Sequence, residues 1–161
     1  MNQIVRNESM TIVKPVARCP GEIAVRVAVG GGGDLLFIDA LQKMHSHMVG
    51  FATKGQLEKN IADGQVLIAE EKAMVAGGGA IPIGYVIAKY EYMKRDEIGI
   101  VYQLNVQPIR HRHLVGATLI NAVFDRAPYG CRLFCCWCAQ DIQANWFWES
   151  IGFVPLAFRT G

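Results

Sequence analysis

The chain has 161 residues, the length of about one domain, and 52% of them are hydrophobic while 19% are charged. This amount of apolar material excludes a disordered chain. The net charge of +2 is too small for a nucleic-acid binder that works through a basic surface. No stretch approaches the roughly 18 consecutive apolar residues of a membrane helix, and the N-terminus lacks a signal-peptide pattern. We therefore expect a cytoplasmic protein that binds neither nucleic acid nor a membrane.

Four of the five cysteines lie within the segment 131–138, which has no turn residue at its centre and predicts a strand. On a strand, Cys135 and Cys136 point to opposite faces and cannot share one metal ion. A secreted disulfide framework would space its cysteines more widely. The segment therefore predicts reduced thiols that pack as small hydrophobic residues, and no metal site. These thiols are Cys131, Cys135, Cys136 and Cys138.

The first part of the chain predicts one strand and two helices. Residues 1–21 are weakly patterned, and the alternating β-branched run 23–29 predicts the strand. After four glycines, Asp34 is predicted to cap a helix with one apolar stripe. His45 borders this stripe and His47 points away from it, and neither histidine receives a role. A second helix is expected over 53–62. The stripe consists of Phe37, Leu41, Met44 and Met48.

The remaining pattern predicts five strands and two helices. Strands are expected over 65–71, 83–93, 98–106, 132–138 and 154–159. Helices are expected from Val115 and from Asp141, and Gly152 is predicted to end the second one. The resulting order β-α-α-β-β-β-α-β-α-β predicts a single mixed α/β domain over residues 1–161.

A short basic loop connects the strand 98–106 to the helix that begins at Val115. Backbone N–H groups and the positive end of a helix dipole converge at such a loop. An anion, typically a pyrophosphate, fits there, and Arg110 and Arg112 add positive charge. An exposed basic loop without a ligand explains the spacing equally well, so the residues alone leave both interpretations open.

Two motifs in this half of the chain resemble those of the GNAT family of N-acetyltransferases. The central family motif reads approximately Leu-x-Val-x-Pro-x-x-Arg-Gly-x-Gly-x-Gly/Ala, followed by a helix with Leu-Leu. A second family element, an asparagine followed by Phe-Tyr-Glu and Leu-Gly-Phe, is similar to residues 141–153, DIQANWFWESIGF. The order and spacing of the two motifs agree, and the resemblance covers about residues 22–159. The central motif is matched by Leu104, Val106, Pro108, Gly116, Leu119 and Ile120.

The resemblance implies a mixed sheet with splayed strands, acetyl-CoA as co-substrate, and a set of binding residues. The strand edge would pair with the pantetheine arm, and the Val106 amide would polarise the thioester carbonyl. The loop and the first turn of the helix would surround the pyrophosphate, although Leu114 stands at a glycine position of the family motif. Asp141 and Trp148 would complete the site. The other predicted binding residues are Leu104, Asn105, His111, Arg112, His113, Val115, Gly116, Ala117 and Thr118.

The sequence departs from the family at both usual proton carriers. Trp148 stands where the family has a tyrosine that protonates the leaving thiolate, and Cys136 stands where one branch has a glutamate base. Tyr102, predicted on the same strand face as Leu104, is a candidate base. Cys136 is a further catalytic candidate. Glu70 and Glu71, at the end of a strand, are also candidate bases, although a solvated strand end explains them as well.

The resemblance implies an N-acetyltransferase that acts on a primary amine, and it leaves a homodimer open. The acceptor would lie against the first two helices, the segment 48–55 and an acidic hairpin. Glu91, Asp96 and Glu97 of that hairpin would attract a cationic amine, although a solvated turn explains them equally well. The alternative is a catalytically silent module of the same fold that binds acyl-CoA as a sensor, which the missing tyrosine and glutamate favour.

Overall fold

Five strands and four helices follow one another in the predicted order in the computed structural model, which describes residues 22–72, 79–139 and 142–157. Residues 1–21, including Cys19, lie outside this range. No helix of the described residues is long and apolar enough to cross a membrane. The elements are β1 (Ile23–Val27), α1 (Gly33–Met44), α2 (Lys54–Ala62), β2 (Val66–Lys72), β3 (Ala80–Lys89), β4 (Ile98–Val106), α3 (Val115–Asp125), β5 (Leu133–Cys136) and α4 (Ala144–Ser150).

The strands form one sheet in the order β1-β2-β3-β4-β5. The first four strands pair in antiparallel fashion, whereas β5 runs parallel to β4. Parallel neighbours need a crossover connection, and α3 provides it. The predicted mixed α/β fold is therefore confirmed, and the crossover places the N-terminus of α3 directly after the end of β4.

The sheet carries a hydrophobic core on each face. One core packs α1 and α2 against β2 and β3, and it includes Ile38, Leu57 and Tyr85. The other packs α3 against the opposite face of the same strands, through Val115, Leu119 and Val123. Helix α4 joins the second core only through half-buried side chains. The centre of the sheet is thus covered on both faces, and the two cores together hold the neighbouring strand β4 in place.

Helix α1 differs from the prediction in its N-cap residue and in the set of residues that it buries. Its N-cap is Gly32, while the carboxylate of Asp34 accepts a hydrogen bond from the Val29 amide at 2.8 Å and pairs with Arg26. The predicted stripe is partly wrong, because Met44 is 59% exposed. The buried face follows the same helical period but contains polar side chains, which a search for apolar residues misses. Its members are Asp34, Ile38, Leu41 and Gln42.

Several predicted boundaries are corrected in the second half of the chain. Strand β3 ends at Lys89 rather than at residue 93, because Met93 and Lys94 adopt left-handed backbone angles in the turn. Strand β5 is shorter than the predicted 132–138, and α4 begins at Ala144 rather than at residue 141. Residues 154–157 form no strand, since Pro155 lacks the N–H group that a ladder needs. Residues 158 and 159 of that predicted strand lie outside the described range.

Candidate active site

Strand β4 has an open edge along its second half. Its parallel pairing with β5 ends at Val101, opposite Cys136, whereas its antiparallel pairing with β3 continues to Val106. The register with β3 shifts opposite Tyr102, so this residue is an extra one in β4 and forms a β-bulge. Bulges bend a strand and change its twist. Among the described residues, no strand pairs with β4 on the β5 side beyond this point.

The backbone groups of β4 alternate between β3 and this open edge. The Gln107 amide donates to the Ile83 carbonyl of β3 at 2.9 Å. In an antiparallel ladder, residues two apart bond to the same neighbour, so Asn105 also directs its backbone groups toward β3. Leu104 and Val106 therefore direct their N–H and C=O groups to the open side. The predicted edge is present, but only two of its three predicted residues offer backbone groups to a ligand.

The loop between β4 and α3 presents several free amides. Arg112 and Leu114 adopt left-handed backbone angles, with φ of 64° and 63°, and Leu114 is the N-cap of α3. Leu114 thus takes a conformation that favours glycine, the residue of the family motif. Alternation of ordinary and left-handed angles turns consecutive N–H groups to one side. Within the described residues, no hydrogen-bond acceptor contacts the amides of Arg112, Leu114, Val115, Gly116 and Ala117.

Two histidines of this loop and Thr118 of α3, all predicted to bind the cofactor, have hydrogen-bond partners within the protein. The His111 imidazole Nε2 lies 3.0 Å from the Val106 carbonyl oxygen, which faces the open edge of β4. His113 Nδ1 lies 2.9 Å from the His111 carbonyl oxygen. Both contacts require the ring nitrogen to donate, since a carbonyl oxygen only accepts. The amide and the hydroxyl of Thr118 both donate to the Leu114 carbonyl, so Thr118 has no free backbone donor.

The charges around this loop are divided between ion pairs and solvent. Arg110 pairs with Glu71, and Arg26 pairs with Glu70 and Asp34. Both candidate glutamate bases are therefore occupied by arginines, and Arg110 is held at β2. Arg112 is exposed and forms no ion pair with the described residues. Arg112 is thus the arginine of the loop that is available to an anion.

A cluster of buried polar side chains lies on the α1 side of the open edge, and sequence reasoning missed it. His45 Nδ1 lies 2.6 Å from Asn105 Oδ1, and the Asn105 amide nitrogen donates to the Leu41 carbonyl at 3.1 Å. Gln103 accepts a hydrogen bond from the Tyr85 hydroxyl and donates to the Gly50 carbonyl. The only signal in the sequence was the alternation of Gln103 and Asn105 within an otherwise apolar strand. Buried polar groups in such positions need partners.

The segment 48–55, predicted to hold the acceptor, is anchored to this cluster. The Gln42 side chain donates to the Ala52 carbonyl at 2.9 Å and accepts from the Ala52 amide at 3.1 Å. The contact between Gln103 and Gly50 adds a second anchor. In the acidic hairpin, Glu97 pairs with Arg95, while Glu91 and Asp96 are exposed. The first two helices and the open edge of β4 are thus brought together, and the hairpin stays at the surface.

The predicted catalytic side chains have environments that do not favour a base. Tyr102 is 48% exposed, and the Lys89 ammonium lies 5.6 Å from its ring centre. Partial burial raises the pKa of the Tyr102 hydroxyl. Burial, reinforced by the neighbouring Cys138 and Cys135, raises the pKa of the Cys136 thiol to about 12. Both groups therefore stay protonated near neutral pH, whereas only the deprotonated phenolate or thiolate could accept a proton as a base.

Trp148 lies on α4 among aromatic neighbours. Its ring centre is 5.2 Å from that of Phe147 and 5.0 Å from that of Phe153, and its indole contacts the Cys138 sulfur. Asp141, the other predicted residue from this motif, lies outside the described residues. The four cysteines of the segment 131–138 are free thiols, and the described residues contain no group of three metal-ligating side chains.

Comparison with solved structures relates this geometry to known proteins. The sequence matches no protein-family model and no curated protein. An N-acetylglutamate synthase from Neisseria gonorrhoeae, complexed with coenzyme A and N-acetyl-glutamate, superposes with a TM-score of 0.61 at 20% identity. The match covers 81% of this chain but 28% of that one, so this chain spans little more than a quarter of its length.

Two other matches extend over most of both chains. Ard1 from Thermoplasma volcanium has a TM-score of 0.63 at 15% identity, and the match covers 84% of each chain. An aminoglycoside 6'-N-acetyltransferase from Acinetobacter haemolyticus has a TM-score of 0.60 at 15% identity, with 86% of this chain and 95% of that one covered. The element order, the open edge of β4 and these superpositions agree: the chain has the fold of the GNAT acetyltransferases.

Proposed function

We propose that this protein transfers an acetyl group from acetyl-CoA to a primary amine of a small molecule or polypeptide. One observation carries the proposal: an open strand edge ends directly beside a loop in which five amides have no acceptor among the described residues. The edge suits an extended chain with amide groups, and the loop suits a pyrophosphate. Solved structures with this fold include an N-acetylglutamate synthase complexed with coenzyme A, which supports the same ligand here.

The residues present fit acetyl-CoA. The backbone groups of Leu104 and the Val106 amide would be available to the pantetheine arm and the thioester, and the free amides of the α3 N-terminus, with Arg112, would bind the phosphates. Leu114 occupies the motif's glycine position without closing the loop, because its side chain is 59% exposed. The left-handed angle of Leu114 maintains the backbone shape that glycine gives the family.

The chain's own groups supply two contributions to the transfer. The Val106 amide, directed to the open edge, stabilises negative charge that develops on the thioester oxygen as the amine attacks. The anchored segment 48–55 and the end of α1 hold the amine near the same edge, which replaces a bimolecular encounter by a positioned one.

A charge placed in the first turn of α3 tests the binding site. Ala117→Glu puts a carboxylate beside the free amides. This carboxylate repels the pyrophosphate, but its interaction with the helix dipole stabilises the helix. We expect the affinity for acetyl-CoA, measured by calorimetry, to fall at least tenfold while the melting temperature is maintained. Ala62→Glu, an exposed alanine in α2, is the matched control and leaves affinity unchanged. Equal affinity in both variants would place the cofactor elsewhere.

The absence of a tyrosine at position 148 favours a second candidate function, an acyl-CoA-binding module without turnover. The indole N–H of Trp148 is a very weak acid, and it contacts the Cys138 sulfur. A thiol-release assay separates the two functions, with L-glutamate, an aminoglycoside, a polyamine and a peptide with a free amino terminus as acceptors. Release of CoA with any of these amines supports the transferase, and tight binding without release supports the module.

A further inference from the structure

His45 differs from the other side chains of the buried polar cluster because one of its ring nitrogens has no hydrogen-bond partner among the described residues. The residue closes α1, and its carbonyl accepts hydrogen bonds from the Met48 and Val49 amides at 2.8 and 3.0 Å. The side chain is enclosed, with 8% of the residue exposed. Its Nδ1 contacts Asn105, whereas no described residue forms a hydrogen bond with its Nε2.

The contact with Asn105 sets the tautomer of this imidazole. The Asn105 amide nitrogen donates to the Leu41 carbonyl, so its oxygen must face His45. An amide oxygen only accepts, and His45 Nδ1 therefore carries the proton of that hydrogen bond. In the neutral ring, the lone pair then lies on Nε2. The fully buried side-chain atoms without a partner in the described residues are Gln65 Oε1 and Arg110 Nε, so Nε2 is not sealed off.

The imidazole lies at the open edge of β4. Its ring centre is 6.0 Å from that of His111, and His111 Nε2 contacts the Val106 carbonyl on that edge at 3.0 Å. His45 also begins the segment that leads to the anchored residues 48–55. The ring thus lies near the proposed thioester position, at the start of the segment proposed to hold the amine.

We propose that His45 is the general base of the transfer and that Asn105 is the residue that positions it. This inference rests on the proposed acetyl transfer. As the amine nitrogen forms its bond to the acetyl carbon, it loses one proton to His45 Nε2. The bond between that carbon and sulfur then breaks, and the thiolate leaves with the electron pair. The proton passes from His45 to the thiolate through water, so the products are the N-acetyl amine, CoA thiol and the neutral imidazole.

The other candidate bases are occupied or protonated. Glu70 and Glu71 are engaged by Arg26 and Arg110, and burial keeps the Cys136 thiol protonated. The Tyr102 hydroxyl also stays protonated, because partial burial raises its pKa. His45 combines an available lone pair, a fixed orientation and a place at the open edge.

His45→Asn tests the base role with little change in structure. The asparagine amide can still donate to Asn105 in place of Nδ1, but it has no group in place of Nε2. A positioned base contributes about 10²–10⁴-fold to a rate. We therefore expect kcat to fall at least 100-fold with the best amine from the panel, while the KM for acetyl-CoA and the melting temperature change little. His47→Asn, the same substitution at an exposed histidine two residues away, maintains kcat.

Two further measurements separate a base from a structural residue. In His45→Ala, free imidazole added to the assay should restore part of kcat in proportion to its concentration, an effect that repair of folding alone would not give. Asn105→Asp retains an acceptor for Nδ1 and should keep far more kcat than Asn105→Leu, which removes it.

A His45→Asn variant within tenfold of the wild-type kcat, or a His45→Ala variant that imidazole does not restore, overturns the base role and leaves acetyl transfer standing. A wild-type protein that binds acetyl-CoA but releases CoA with none of the amines overturns the proposed function itself.

Discussion

Gly116 in the first turn of α3 faces Phe147 of α4 so closely that a β-carbon at position 116 would lie 3.1 Å from the ring. This contact is tighter than ordinary van der Waals packing. Because α4 has no fully buried residue, its packing on α3 depends on a small number of such contacts. Gly116 therefore connects the loop between β4 and α3 to the helix that carries Trp148.

Gly116→Val should weaken this packing. The added side chain must push the Phe147 ring away, and overpacking of this kind costs about 1–2 kcal/mol of unfolding free energy. Urea denaturation measures the change. Gly55→Val is the matched control, since Gly55 is also the second residue of its helix and has open space around its β-carbon. Equal stability of the two variants would mean that α4 moves aside without loss.

Leu114→Gly should raise both stability and cofactor affinity. A residue other than glycine in the left-handed conformation is strained by about 1–2 kcal/mol. Replacement by glycine relieves this strain, but glycine loses more backbone entropy on folding, which offsets part of the gain. We expect the unfolding free energy to increase by about 0.5 kcal/mol and the Kd for acetyl-CoA to decrease. Leu114→Val, with a β-branched side chain in the same conformation, should lower stability instead. The opposite ranking would contradict the left-handed angle at this position.

Asp34→Asn should destabilise the corner between β1 and α1. The Arg26 guanidinium hydrogen-bonds to Asp34 and lowers the pKa of its carboxyl group, so this pair stabilises the fold above the ordinary pKa of aspartate. We expect a loss of about 2 kcal/mol at pH 7. The difference from wild type should shrink as pH falls through the lowered pKa, because the wild-type carboxylate is then protonated too.

The control for this prediction is Asp39→Asn on the same helix. Asp39 pairs with Lys43 at the surface, where solvent screens the charge, so its loss should matter far less. Chemical denaturation at pH 7 and at pH 3 gives both comparisons. A constant difference between wild type and Asp34→Asn over this range would show that the carboxylate charge is not the stabilising element.

Cys136→Ser should retain acetyl transfer. With a thiol pKa of about 12, Cys136 supplies almost no thiolate near neutral pH. We expect turnover within about threefold of wild type, and slow alkylation of Cys136 by iodoacetamide in the folded protein compared with the protein in guanidinium. Mass spectrometry of the labelled peptide measures the rate. Rapid labelling in the folded state would return Cys136 to the set of catalytic candidates.

Trp148→Phe should change turnover only modestly. A phenyl ring maintains contact with Phe147 and Phe153 but removes the indole N–H, which contacts Cys138. Trp148→Tyr tests whether a hydroxyl group, as in the family motif, reaches the leaving sulfur and raises kcat. A loss of a thousandfold or more in Trp148→Phe, with binding and stability maintained, would give the indole a chemical role.

Local patterns in the sequence were sufficient to predict β4 and α3, the two elements that flank the candidate site. Strand β4 has the predicted bounds, and α3 begins at the predicted Val115, because β-branched alternation and a proline-terminated loop are short-range signals. The helix α2 is confirmed in the same way, with Thr53 as its cap. These elements place the open edge of β4 beside the loop between β4 and α3.

The polar cluster could not be predicted in this way. His45 and Asn105 are 60 residues apart in the chain, and the pair forms only because α1 packs across β4. Periodicity identifies which face of an element is apolar, but it does not identify which polar side chains are buried as partners. The ion pair between Arg26 and Glu70 joins residues 44 apart and is equally invisible to local patterns. The bulge at Tyr102 also depends on pairing with β3 and alters the face expected from simple alternation.

The two anchors of the segment 48–55 use uncharged amide side chains, Gln42 and Gln103, whereas the corner between β1 and α1 is held by Arg26 and its two carboxylates. Dissolved salt screens charges but leaves neutral hydrogen bonds nearly untouched. The two ends of α1 therefore differ in their dependence on ionic strength. As salt is added, amide hydrogen exchange should accelerate at Val29 near the first turn of α1 and remain constant at Ala52. The segment 48–55 should therefore keep its position under ionic conditions that loosen the opposite end of the same helix.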